Sequence, residues 1–277
     1  MSEVKPYVGI SGVVSPEQQR LYEGAFAESG LSDSGRRLAL GIKAVHKTQF
    51  LDIENKYGSA WYPVGEVAFQ AAVEKSHDSQ KSINIAQAYL DVEYVGDPDY
   101  RKQFTDSIFH RGGARIDGIQ FDMLPWHSNR DIATFLEDTK TTYPDKLLLL
   151  QCHGGAMEQL GPKSSIRKLG EIATFVDYVL FDSSHGTGRR LDTGNLRRFL
   201  DEGYSSESLE TVGLAIAGGL NADVVREDLP EIVNAFPEIS WDAEGQLHPS
   251  DSAGNRPLNE TIVRKYLYAS QEVLKAR

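Results

Sequence analysis

The sequence predicts an α/β fold, a (β/α)8 TIM barrel in a single domain over residues 1–277. Three observations predict it. Short apolar runs alternate with longer amphipathic ones from end to end, and eight of each can be traced. No linker or shift in composition interrupts the series. The G-x-G-x-x-G fingerprint that a doubly wound sheet would carry after its first strand is absent, which weighs against the other fold with this alternation.

The elements follow in order. Strand one is Tyr7–Ile10, and Ser15-Pro16-Glu17 starts a helix over Glu17–Glu28 that stops near Gly30. Strand two is Leu38–Val45; a long segment, KTQFLDIENKYGSAWYPVGE, precedes a helix over Glu66–Lys75. Strand three is Ile83–Leu90, with a helix near Tyr100–Phe109. Asp117–Met123 is the fourth strand, with a helix at Arg130–Lys140. Leu147–Gln151 is a continuous apolar run, the kind a sheet covered on both faces carries, and Ser165–Thr174 is its helix. Asp177–Phe181 is paired with Asn195–Asp201, and Thr211–Ala217 with Ala222–Phe236. Ile239–Trp241 is the eighth strand, and Asn259–Lys275 closes the series with apolar spacing at Ile262, Val263, Tyr266, Leu267 and Val273.

A net charge of −11 weighs against nucleic acid and anionic membrane surfaces as partners. The single cysteine, Cys152, excludes an internal disulfide framework and a multi-cysteine zinc site. No signal-peptide stretch opens the chain, and no run approaches the roughly 20 apolar residues of a membrane span. The expectation is a cytoplasmic protein, monomer or homodimer, without a membrane anchor.

In this fold the active site lies at the C-terminal mouth of the strands. The sequence places Ser11 there in GISG, Lys43 and His46 in GIKAVHK, Gln87 and Asp91 in IAQAYLD, and Gln120 and Asp122 in IQFDMLPW. Gln151, Cys152 and His153 follow in LLQCHGG, Asp182 and His185 in LFDSSHGTG, and Asp242 and Glu244 in SWDAEG. Glycines crowd three neighbouring ends: Gly186 and Gly188, then Gly218 and Gly219, then Gly245. Bare backbone lets N–H groups approach an anion, and a following helix start adds a favourable dipole, so these ends suit a phosphate. His127, His153, His185 and the mouth aspartates show no H-x-H or H-E-x-x-H spacing, so no metal is expected.

GISG, IQFD, LFDSSHGTGRRLD, AIAGGLN and WDAEG together resemble phosphoribosylanthranilate isomerase, most specifically over residues 177–221. The resemblance implies an isomerase of tryptophan biosynthesis that needs no cofactor. It would carry out an Amadori rearrangement, opening a phosphorylated aminosugar to a 1-amino-2-ketose. It makes Asp182 the general acid, and Gly218, Gly219 and the Gly245 loop the phosphate holders, with Gly186 and Gly188 beside them. Desolvation at an apolar strand tip favours a carboxyl that still holds its proton, which suits an acid.

The chain departs from the family at the base. Ser11 stands where the family carries a cysteine, and a serine hydroxyl is far too weak an acid to serve alone. Cys152 and His153 are the stand-ins at the same mouth; the alternation in LLLLQCHG sends them to opposite faces. Asp122 stands where the family has a histidine, and WYPVGE lacks the family's arginine, leaving Lys43, Lys47 or Lys56 as point charges for a ligand anion. The alternatives are a barrel acting on another phosphorylated metabolite, and a silent barrel that binds one.

Overall fold

A computed structural model of the chain describes residues 4–56, 58–74, 81–126, 131–182, 190–249 and 257–276. Eight parallel strands close into a barrel in sequence order: β1 Tyr7–Ser11, β2 Arg37–Val45, β3 Ser82–Tyr89, β4 Gly118–Asp122, β5 Leu147–His153, β6 Tyr178–Asp182, β7 Gly213–Ala217 and β8 Ser240–Ala243. The seam is β1 against β8, with Val8 opposite Trp241 and Gly9 opposite Asp242. The helices are α1 Pro16–Ser29, α2 His46–Phe50, α3 Gly65–Ala72, α4 Pro98–Gly112, α5 Asp131–Thr142, α6 Gly154–Gly170, α7 Thr193–Tyr204, α8 Ala222–Ala235 and α9 Glu260–Lys275. None of them, among the described residues, is long and apolar enough to cross a membrane.

Local chemistry sets the helix ends. Ser15 accepts from Gln18 N at 3.3 Å, Pro16 sits in the first turn, and Gly30 ends α1 at φ 83. Asp97, Asp192, Asn221 and Asn259 cap α4, α7, α8 and α9 in the same way, each satisfying donors the helix leaves unpaired. Two outcomes differ from the sequence reading. The helix expected from Ser165 begins instead at Gly154, directly after β5; it kinks where Gly161 leaves helical geometry ahead of Pro162. The long segment after β2 opens with the short helix α2, which the sequence pattern did not mark.

Strand alternation divides the core into two. Val8, Ile10, Leu40, Ile42, Leu148, Leu150 and Phe181 face the helices and belong to the large outer core. Tyr7, Ala39, Ile83, Ile85, Leu149, Tyr178, Leu180 and Ala215 fill the lower barrel. There Tyr7 meets Tyr178 edge to face at 5.3 Å, and the Tyr178 hydroxyl accepts from Arg37 Nη2 at 2.8 Å and donates to Lys5 O at 2.6 Å. Trp241 shows the rule on β8: it points outward, and its Nε1 donates to Ser270 Oγ on α9 at 3.1 Å. Asp242, one residue on, points inward. Two glycines make room above the apolar layers. A Cβ on Gly9 would lie 2.5 Å from Asp242 Oδ1, and one on Gly41 would lie 2.8 Å from the Gln87 amide carbon.

Candidate active site

The inward positions at the strand ends are polar almost all the way round. Ser11 Oγ donates toward both oxygens of Asp242 at 3.1 and 2.9 Å. Gln87 Nε2 donates to Ser11 Oγ at 2.6 Å and to Asp242 Oδ2 at 3.3 Å. Because β3 does not neighbour β8, this contact crosses the barrel and fixes Gln87, Ser11 and Asp242 as interior groups. A second knot lies beside it. Lys43 Nζ is 2.6 Å from Glu244 Oε1 and 2.8 Å from the Tyr89 hydroxyl, which itself lies 3.2 Å from Glu244 Oε2. Gln120 Nε2 donates to Asp122 Oδ1 at 2.9 Å, and Gln151 Nε2 donates to Asp182 Oδ2 at 3.0 Å.

Ser11, Lys43, Gln87, Gln120, Asp122, Asp182 and Asp242 are buried, Tyr89, Gln151 and Glu244 partly so, and the protonation of the carboxyl groups at the mouth reflects it. Burial pushes Asp122 up to about 7; Glu244 adds to the rise, and Gln120 and Lys43 oppose it. Burial pushes Asp242 up to about 7 as well, aided by Glu244 and Asp182 and opposed by Ser11 and Lys43. Burial also works to raise Glu244, but the Lys43 ammonium outweighs it and holds that carboxyl below its ordinary range. Tyr89 is pushed well above the usual phenol range by burial, next by Glu244. Near neutral pH the mouth thus holds one firm ion pair beside two carboxyl groups poised to give or take a proton.

The roof comes from two loops. Trp61, after β2, stacks on His248, after β8, with ring centroids 4.5 Å apart. His248 Nε2 lies 2.8 Å from Ser11 O. Both rings press on Gly12, whose φ of 93 and lack of a Cβ the contact requires: an added Cβ would overlap His248 Nε2 and come within 2.6 Å of Trp61 Cδ1.

The structure brings Ser11, Lys43, Asp122 and Asp182 into one mouth, as the sequence reading expected, but not Cys152. On β5 it is Gln151 that reaches inward to Asp182, while Cys152 is fully buried with Leu148 and Leu150 in the helix-facing core. Burial raises its thiol far above the ordinary range, so it carries no thiolate and drops out as a base. Ellman's reagent is therefore expected to modify Cys152 only as the chain unfolds in urea. Prompt reaction in buffer would contradict this placement.

Lys43 is likewise not an open anion contact, since Glu244 and Tyr89 already hold it. Gly218 and Gly219 follow β7 at φ 114 and φ 63 and lead to α8, where Asn221 Oδ1 accepts from Asp223 N and Val224 N. A Cβ on Gly245 would meet open space. Gly186 and Gly188 lie outside the described residues, as do His127 and His185. Among the described residues no group of three or more His, Cys, Asp or Glu is placed to hold a metal ion. The sequence reading missed Tyr89, Trp61 and His248. Tyr89 was open to detection, since it shares the face of Ile83, Ile85 and Gln87 by alternation. The Trp61–His248 stack joins loops 187 positions apart (248 − 61) and has no local signal.

No known protein family matches the chain, and no curated protein matches its sequence. In structure it is similar to tryptophan synthase subunit alpha from Legionella pneumophila, at 13% identity over 99% of this chain and 94% of that one, with a TM-score of 0.57. It is similar to the catalytic domain of a hyperthermophilic chitinase from Pyrococcus furiosus, at 14% identity over 100% and 98% of the two chains, with a TM-score of 0.56. A GH113 beta-1,4-mannanase aligns at 8% identity over 100% of both chains, with a TM-score of 0.54. At such identities the likeness shows the barrel fold alone, which enzymes of unrelated kinds share.

Proposed function

We propose that the chain is a barrel enzyme that isomerises a phosphorylated aminosugar by general acid–base catalysis, the reaction its resemblance to phosphoribosylanthranilate isomerase implies. One observation carries the reading: Asp122, Asp182 and Asp242 are buried together in one mouth, where burial pushes Asp122 and Asp242 up to about 7. Groups that titrate at the working pH serve best as acid and base. In the reaction an acid protonates the ring oxygen as the sugar C–O bond breaks, and a base removes the C2′ proton. The enol then tautomerises to the ketose, and no atoms are gained or lost. Asp182, held by Gln151, is the acid carried over from the resemblance. Asp242 takes the part of the base, because the Ser11 hydroxyl donates to it and so orients a group that can accept a proton where serine cannot. Gly218, Gly219 and Gly245 would seat the phosphate through their peptide groups.

A second reading has an observation of its own. Asp122, Asp182, Asp242 and Glu244 share the mouth with Lys43, so its charge is dominated by carboxylates. That arrangement favours a ligand whose buried part is neutral or carries an amine, and it points to a different metabolite. The assay follows the loss of anthranilate fluorescence from N-(5′-phosphoribosyl)anthranilate, alongside rescue of a tryptophan auxotroph. Asp182→Asn and Asp242→Asn are expected to lower kcat/KM by at least about 100-fold, and Ser11→Ala by about 10-fold. No turnover by the wild type, with a melting temperature that still rises on adding inorganic phosphate, would replace this reaction with another substrate or with binding alone.

A further inference from the structure

The groups assigned to chemistry are largely covered, although Glu244 beside them is 36% exposed. Ser11 and Lys43 are 0% exposed, Asp122 2%, and Asp182 and Asp242 8%. For a substrate to touch the wholly buried Ser11 and Lys43, part of the wall has to move.

One stretch of wall is built to move. Gly58–Gly65 reads GSAWYPVG and carries Trp61 and Tyr62, both buried, over the ion pair. Lys43 Nζ lies 5.4 Å from the Trp61 ring and 5.6 Å from the Tyr62 ring. The segment folds upon itself: the N–H groups of Trp61 and Tyr62 both donate to Gly58 O at 3.2 Å. Among the described residues it pairs with no strand, and Gln49 Nε2 ties it to α2 through Pro63 O at 3.2 Å. Both ends are glycines in left-handed backbone, Gly58 at φ 78 and Gly65 at φ 76. Lid segments turn about a few such residues at their ends, which absorb the change in φ and ψ.

We infer that Gly58–Gly65 is a lid that swings about its two glycines to admit substrate and closes the faces of Trp61 and Tyr62 over it. Lys43 is the catch: its ammonium is held by Glu244 and Tyr89 below and faces the two rings above. The inference rests on the mouth being the site proposed above, but its readout needs no turnover, so the failure of one is distinguishable from the failure of the other.

The test is acetylation of Lys43 by N-hydroxysuccinimidyl acetate, read by peptide mass spectrometry on the full chain. Cys152 alkylation by iodoacetamide reports global opening in the same protein. Each rate is normalised to that of the urea-unfolded chain. Lys43 is expected to react at least about 10-fold faster than Cys152 on this scale, because a local opening precedes the global one. The amides of Trp61 and Tyr62 are expected to exchange hydrogen with the same opening constant as Lys43. Trp61→Ala should speed Lys43 labelling a further 10-fold or so and leave Cys152 unchanged, while Trp61→Phe, which keeps an aromatic face, should label like the wild type. Equal normalised rates for Lys43 and Cys152 would overturn the lid. So would a Trp61→Ala protein in which Lys43 labels no faster, or Trp61 and Tyr62 amides that exchange only with the barrel strands.

Discussion

Glu244→Gln is expected to destabilise the fold by about 3–5 kcal/mol, the range for removing one partner of a buried pair. The asymmetry of the pair is the reason. Lys43 has a fully buried side chain, whereas Glu244 is 36% exposed. With glutamine at 244 the ammonium keeps the Tyr89 hydroxyl, a neutral amide oxygen, ring faces at 4.6 to 5.6 Å and the fields of Asp122 and Asp242, and these do not replace a carboxylate in contact. Lys43→Met leaves a carboxylate that water can reach, so its cost should be smaller, about 1–2 kcal/mol. The double change Lys43→Met/Glu244→Gln should recover most of the loss. Urea unfolding of the four proteins gives the coupling energy directly. A Glu244→Gln protein as stable as the wild type would show that the pair is solvated in solution.

The second large effect is a dependence on pH. Asp122 and Asp242 are each raised to about 7 from an ordinary value of 3.8. A carboxyl raised on folding contributes stability that is fully present below its unfolded pKa and is lost as pH rises through the folded one. The window is therefore pH 4 to 7, with the protein weaker at the upper end. Moving one carboxyl this far corresponds to roughly 4 kcal/mol, an upper bound for each because the two share Glu244 and Lys43 as neighbours. Asp122→Asn and Asp242→Asn should each flatten the slope. Each should be more stable than the wild type at pH 8 and similar to it at pH 4. Urea midpoints at both pH values check this, and a wild-type stability that rises from pH 4 to 7 would refute it.

How far the sequence could be read depended on what each residue's neighbours were. Eight strands and their order followed from alternation, because a strand's apolar run is a local property. The inward set at the mouth also followed wherever polar residues recur at every second position, as with Gln120 and Asp122. Strand β5 carries no such alternation. Leu147–Leu150 is apolar on both faces, so nothing in the run says which way Cys152 turns. The sequence reading assigned no raised pKa to Asp122 or Asp242, yet burial lifts each to about 7. That difference arises from the Lys43–Glu244 pair and from depth within the barrel, which strand spacing does not encode. The roof was unreadable for the same reason: its two rings come from loops far apart in the sequence, after β2 and after β8.

Gly9 on β1 lies in register with Asp242, and Gly41, two steps further along β2, lies beneath the Gln87 side chain. Two absent methyl groups let charge descend a full layer into what would otherwise be hydrocarbon. The same void is a route to loss. A single Gly→Ala change at either position favours a drier, tighter barrel and evicts the carboxylate or the amide that touches Ser11. Drift toward stability and retention of this chemistry therefore pull in opposite directions at two codons.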